Sequence, residues 1–237
     1  MILKGWQKTS LIEYPGKIST VVFTGGCNFR CPFCYNAELV ERPHQLSDLD
    51  SDIVLNYLKE NAGLHQAVVI TGGEPTLNVE TPEFLAQVKD LGLYAGLETN
   101  GTNPKMIAHL LEQNLLDYIA MDVKAPLEWD DYSAAAGLTR GREDLLENVK
   151  QTLEHLKSAR VEIELRCTVV PFFHTPEDIL RLAGQLQGYP RFVLQKFAPE
   201  RALDLRLRDQ KPFSDQVLGE LHEKVSRIIP SCEVRGI

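Results

Sequence analysis

Three of the five cysteines fall within eight residues, in the segment Gly25-Gly26-Cys27-Asn28-Phe29-Arg30-Cys31-Pro32-Phe33-Cys34-Tyr35-Asn36. Three thiolates spaced C-x3-C-x2-C on one tight loop can face a common centre, and the leading glycines let the backbone wrap close to it. Three readings compete. Zinc commonly takes four protein ligands, Cys3His among the known sets, and His44 is the nearest histidine. Three buried thiols with no ligand at all are the structural alternative. The third reading is a four-iron cluster held by three cysteines, because soft thiolates suit iron–sulfur sites. That leaves one iron open, and an open coordination position is where a substrate or cofactor binds.

Further groups able to do chemistry recur at intervals along the chain. Thr71-Gly72-Gly73-Glu74-Pro75 joins two glycines, which admit close backbone approach, to a carboxylate that can accept from an ammonium. Leu97-Glu98-Thr99-Asn100-Gly101 and Met121-Asp122-Val123-Lys124 follow, then Arg166 and Gln195. Side chains two apart on a strand share a face, which pairs Glu98 with Asn100 and Asp122 with Lys124. Charges of both signs gathered at one end of a sheet are either structural ion pairs or a ligand site. No side chain is singled out as a catalytic acid, base or nucleophile.

Positioning these groups requires regular elements. Short apolar runs predict strands near 19–24, 67–71, 93–99, 117–123, 161–169 and 192–197, with a short last strand near 231–235. Helical patterns fall near 49–61, 80–91, 103–115, 143–158, 176–187 and 214–228. Thr175-Pro176-Glu177-Asp178 reads as a helix start, with a capping Thr and Pro in the first turn. Strand–helix alternation at these spacings implies parallel strands joined by crossovers. In 161–169 the apolar Val161, Ile163, Leu165, Cys167 and Val169 alternate with Glu162, Glu164, Arg166 and Thr168. Strands buried on both faces of a flat parallel sheet would be apolar throughout. A partial, laterally open (β/α)6 TIM-like barrel with outer helices accommodates a charged inner face better, since a complete barrel fills its interior with branched apolar residues. No linker or repeat divides residues 1–237, so a single domain is expected. Two segments, 125–142 and 198–212, are long for connections and are expected at the mouth. Trp129, Tyr132, Arg206 and Arg208 are their candidates for substrate contact.

Composition narrows the class. The formal charge of the 237 residues is −8, which argues against a nucleic-acid binder. No apolar run approaches the ~20 residues that span a bilayer, and no signal-peptide pattern opens the chain, so a cytoplasmic protein is expected. An odd cysteine count in a reducing compartment argues against a disulfide framework. Cys167 lies on an apolar strand face and Cys232 is isolated, so one cluster is the limit.

With Phe33 before its last cysteine, the loop Cys27-x3-Cys31-x2-Cys34 resembles the signature of the radical S-adenosylmethionine (SAM) superfamily. The resemblance implies a [4Fe-4S] cluster held by Cys27, Cys31 and Cys34, with SAM on the fourth iron and reductive cleavage of SAM to a 5′-deoxyadenosyl radical. Gly72-Gly73-Glu74-Pro75 resembles the family motif that binds the SAM amino group. The chain looks most like the activating enzymes of glycyl radical enzymes, the anaerobic ribonucleoside-triphosphate reductase activating proteins in particular, and Thr9–Gly16 fits that likeness. It implies that Lys124 and Arg166 meet the SAM carboxylate, and that Glu98 and Asp122 hold the ammonium or a nearby monovalent cation. Phe33 and Tyr35 then lie beside the adenine, while Asn100 and Gln195 complete the set. Glu98 is one methylene longer than the acidic residue of the activator it resembles, and Gln195 stands where that enzyme has a histidine. The implied partners are a glycyl radical enzyme, anaerobic ribonucleotide reductase above all, and a flavodoxin- or ferredoxin-type electron donor. The alternatives are a small-molecule radical SAM enzyme acting on a pterin, such as a 7-carboxy-7-deazaguanine synthase, and a zinc-stabilised binding module.

Overall fold

The structure, a computed structural model, describes all 237 residues. Its strands are β1 (Ile2–Leu3), β2 (Gly5–Ser10), β3 (Ser19–Thr24), β4 (Leu49–Asp50), β5 (Ala67–Gly72), β6 (Tyr94–Thr99), β7 (Tyr118–Asp122), β8 (Glu162–Val169), β9 (Phe192–Lys196) and β10 (Cys232–Arg235). The helices are α1 (Ala37–Glu41), α2 (Ser51–Glu60), α3 (Thr81–Asp90), α4 (Pro104–Glu112), α5 (Trp129–Ala136), α6 (Glu143–Lys157), α7 (Pro176–Gln185) and α8 (Asp215–Ser226). Strand and helix alternate. β3 pairs with β5 in parallel, as do β8 with β9 and β9 with β10, so the fold is α/β. No closed barrel forms.

The chain divides into two compact units. The first comprises Met1–Asn28, Glu38–Ala120 and Thr152–Glu162; the second comprises Phe29–Ala37, Met121–Gln151 and Ile163–Ile237. In the first, neighbouring strands run in the order β2, β3, β5, β6 and the start of β7, with β2 antiparallel at the edge. The β-branched runs of β3 and β5 suit a pleated, buried surface. Their register sets Val21 beside Val69 and Val69 beside Gly96. Val21, Val69, Tyr118 and Ala120 share one core cluster with Tyr14. A Cβ on Gly96 would lie 3.3 Å from the Tyr118 ring and 3.4 Å from that of Tyr14, so the glycine makes room for two aromatic side chains whose rings lie 5.0 Å apart.

In the second unit the order is the end of β7, then β8, β9 and β10. Helix α7 starts as its sequence requires: Thr175 Oγ1 accepts from the Asp178 amide, and the Asp178 carboxylate accepts from the Thr175 amide. Segment 125–142 is not the open connection its length suggests, because it contains α5. Ala134, Ala135 and Ala136 have strong helix propensity, and Gly137 ends the helix with a left-handed φ of 65°. Tyr132 is fully buried on that helix, its ring 6.2 Å from Phe29, so it offers no surface to a substrate. In 198–212, Arg206 is exposed and paired with Asp204, while Arg208 Nε donates to the Ala202 carbonyl.

Candidate functional site

In the first unit, the ends of β3, β5 and β6 meet. Gly72 has φ +118°, and a Cβ there would lie 2.4 Å from the Thr24 carbonyl oxygen; a Cβ on Gly73 would lie 1.9 Å from that of Gly26. The amides of Gly73 and Glu74 donate to the Thr24 and Gly26 carbonyls at 3.0 and 2.8 Å. The backbone that leads into Cys27 therefore requires both glycines, a role the sequence pattern alone assigns to a ligand.

Glu74 is turned into the protein and is 1 % exposed. Its Oε1 accepts from the amide and hydroxyl of Thr76 at 3.1 and 2.6 Å and from Thr99 Oγ1 at 2.7 Å. Its Oε2 accepts from the Asn100 amide at 2.7 Å. Burial raises its pKa above the usual carboxylate value, against the lowering effect of these donors. Glu74 thus fixes the loop after β6 from within. Glu98 and Asn100 engage different partners: Glu98 Oε2 accepts from Thr71 Oγ1 at 2.8 Å, whereas the Asn100 side chain lies against Asn28, Thr102 and Cys27.

In the second unit, the rest of the cysteine loop rests on α5. The Arg30 amide donates to the Ala136 carbonyl at 3.0 Å, and a Cβ on Gly137 would lie 2.0 Å from the Arg30 carbonyl oxygen. Cys31 and Cys34 are joined in a turn by a 3.0 Å amide–carbonyl bond. Phe33 is buried, its ring 5.9 Å from Phe173. Tyr35 accepts the Ala198 amide at 2.8 Å on its hydroxyl, and the Asp204 amide donates to the Pro32 carbonyl at 2.8 Å. The loop is thereby tied to the residues that follow β9. Gln195, half-buried, pairs in register with Thr168 and Arg235.

Asp122 and Lys124 form an ion pair at 2.7 Å. Burial opposes the Lys124 charge, but Asp122 and Cys31 outweigh it and raise the pKa, so the ammonium stays charged. His174, which the sequence shows only as one of six scattered histidines, holds this segment: Nε2 donates to the Lys124 carbonyl at 2.8 Å while Nδ1 accepts from the Val170 amide at 3.0 Å. Arg166 Nε donates to Glu164 at 2.5 Å, and Arg235 meets the same carboxylate through two nitrogens at 2.8 and 2.7 Å. Arg191 Nε adds a third contact at 3.2 Å.

The donor set fits an iron–sulfur cluster. None of the five cysteines is in a disulfide. Burial pushes the Cys34 thiol up, with Lys124 and Arg30 pulling the other way. Cys167 and Cys232 are buried too, and burial raises each thiol to about 12. No three His, Cys, Asp or Glu side chains are grouped to hold one metal ion, and His44 is exposed in the turn Pro43–Gln45.

Comparison with known proteins points the same way. Residues 21–186 match the family model described as the Radical SAM superfamily. A Methanocaldococcus jannaschii protein, provisionally named a glycyl-radical enzyme activating enzyme, is 29 % identical over 100 % of this chain and 96 % of its own. The pyruvate formate-lyase-activating enzyme of Clostridium pasteurianum is 24 % identical over 94 % of this chain and 96 % of its own. Among solved structures, Streptococcus suis SuiB bound to S-adenosylmethionine superimposes with a TM-score of 0.67 at 17 % identity, covering 91 % of this chain and 50 % of SuiB. That likeness carries the fold alone.

Proposed function

The chain belongs to the radical SAM superfamily, and from that premise we propose that it installs a glycyl radical on a partner enzyme. The observation that carries this reading is similarity to activating enzymes over 94 % or more of this chain and 96 % of each relative. Family membership implies a [4Fe-4S] cluster and SAM. In this reading Cys27, Cys31 and Cys34 hold the cluster, and none of the remaining cysteines takes part. When bound, the pair supplies one-electron cleavage of SAM and the hydrogen-atom abstraction that follows.

The chain's own residues bind and orient. Lys124, kept charged by Asp122, and Arg166, oriented by Glu164, receive the SAM carboxylate. The Gly72–Glu74 backbone receives the amino group, with Glu74 supporting it from inside. Glu98 and Asp122 supply negative charge for the ammonium or a monovalent cation. Phe33, Tyr35 and Gln195 border the adenosine. The partner is a glycyl radical enzyme, anaerobic ribonucleoside-triphosphate reductase in particular, and a flavodoxin or ferredoxin supplies the electron.

Anaerobic reconstitution with iron and sulfide tests this. The expected result is about four irons and four sulfides per chain, with absorbance near 400 nm bleached by dithionite. Mixing the reduced protein with SAM and the reductase should give a doublet glycyl signal in electron paramagnetic resonance. Zinc without sulfide, or SAM cleavage with pterin turnover and no glycyl signal, overturns the reading.

A further inference from the structure

Asn100 sits where the loop after β6 turns toward the first cysteine. Its hydrogen bonds determine which end of its amide is which. Oδ1 accepts from the Thr102 amide at 3.0 Å, and a backbone N–H can only donate. Oδ1 also accepts from Thr102 Oγ1 at 2.6 Å. Asn28 Nδ2 donates to that same hydroxyl at 2.7 Å, which leaves Asn28 Oδ1 to accept from Asn100 Nδ2 at 2.9 Å. The second N–H of Asn100 faces Cys27 Sγ, with Nδ2 and sulfur 3.7 Å apart. Asn100 is 6 % exposed and Thr102 4 %, so water competes little for these donors. The Asn100 amide nitrogen is held in turn by Glu74.

We propose that Asn100 is a positioning residue whose side-chain N–H donates to the Cys27 sulfur and thereby raises the reduction potential of the cluster that Cys27 ligates. The circuit through Asn28 and Thr102 keeps the donor end aimed at sulfur. The inference rests on the proposed function, since it needs Cys27 as a ligand. Its physical basis is that reduction adds negative charge to the sulfurs, and a fixed donor stabilises the more negative state; hydrogen bonds to sulfur are among the determinants of cluster potential. The role proposed here is exerted through the Cys27 sulfur, apart from the carboxylate-binding and amino-binding groups above.

The test is a redox titration of the reconstituted full chain without SAM, following the reduced cluster by electron paramagnetic resonance. Asn100→Asp keeps the acceptor that Thr102 uses and removes the donor. Asn100→Ser removes the donor without adding charge, and serves if the aspartate variant fails to fold. Both should take up iron and sulfide as wild type does. At one fixed solution potential near the wild-type midpoint, the reduced-to-oxidised ratio should fall roughly five- to tenfold, tenfold being about 59 mV for one electron. Unchanged midpoints in cluster-loaded variants overturn the inference and leave the proposed function standing. Folded variants that both stay iron-free overturn it as well, because Asn100 is then needed for ligation and not for tuning. A wild-type chain that takes up no cluster overturns the proposed function itself, and this inference with it.

Discussion

Glu74 in the first unit and Glu164 in the second are equally inaccessible, at 1 % and 0 % exposure, yet they are stabilised by opposite means. Glu74 is surrounded by neutral donors, two hydroxyls and two amides. Glu164 is surrounded by the guanidinium groups of Arg166, Arg191 and Arg235. Burial raises both carboxyls; neutral donors fail to reverse it at Glu74, whereas at Glu164 the arginines reverse it and hold the pKa below the ordinary value. A buried carboxylate can therefore organise a loop in either way, but only the second way anchors charge, and Arg166 is the residue so anchored.

The largest effect should come from breaking the charged side. Glu164→Ala leaves three arginines facing one another without their shared counter-charge. Loss of one partner from a buried pair costs about 3–5 kcal/mol, so the urea midpoint should fall steeply. A midpoint close to wild type would show that Glu233, which also meets Arg191 and Arg235, suffices alone. On the neutral side, Glu74→Ala strands four donors and should cost about 1–3 kcal/mol. Amide exchange at Asn100 and Gly101 should accelerate while that of β8 stays unchanged.

The two sites also differ in the sign of their pH response. Glu74 has a folded pKa raised above about 4.5, so its contribution is present below the unfolded value and is lost as pH rises through the folded value. Glu164 is lowered, so its contribution is present above the unfolded value and is lost as pH falls. His174 adds to the acid side. Burial lowers its pKa from 6.5, and Nδ1 must remain unprotonated to accept the Val170 amide. Its contribution is therefore complete above 6.5 and declines as pH falls below it, each tenfold difference in proton affinity between the unfolded and folded states being worth about 1.4 kcal/mol. Thermal unfolding of wild type and His174→Gln between pH 7.5 and 5 checks this; parallel curves would show that His174 contributes nothing to the acid response.

How much of this is readable in the residues depends on separation along the chain. The period of two sets Glu164 with Arg166 and Asp122 with Lys124, and both pairs form, because neighbours on one strand face are fixed by backbone geometry alone. The six βα strands and their helices lie within a few residues of the expected bounds, since β-branched runs and caps act locally. Helix α5 escapes such a reading because its short alanine run follows acidic residues that resemble surface loop. The links from Asn28 to Asn100, from Glu74 to Thr99 and from His174 to Lys124 span 72, 25 and 50 positions. Such contacts leave no spacing signal in a single sequence. The Gly-Gly pair announces a close approach, but not that the approaching atoms are the backbone of Thr24 and Gly26.

The smallest effect completes the comparison with a buried group whose one nearby cation does not offset its burial. Cys167 is 1 % exposed, and burial pushes its thiol to about 12 while Lys124 lowers it only in part. Its Sγ lies 3.9 Å from the Lys124 carbonyl oxygen and 3.8 Å from that of Thr168, so a serine hydroxyl there has acceptors within reach. Cys167→Ser should cost only about 1 kcal/mol and leave iron and sulfide content at the wild-type level. Alanine at Cys27, Cys31 or Cys34 should abolish both. Loss of iron from a folded Cys167→Ser variant would mean that Cys167 takes part in holding the cluster, and the division between the two sets would have to be redrawn.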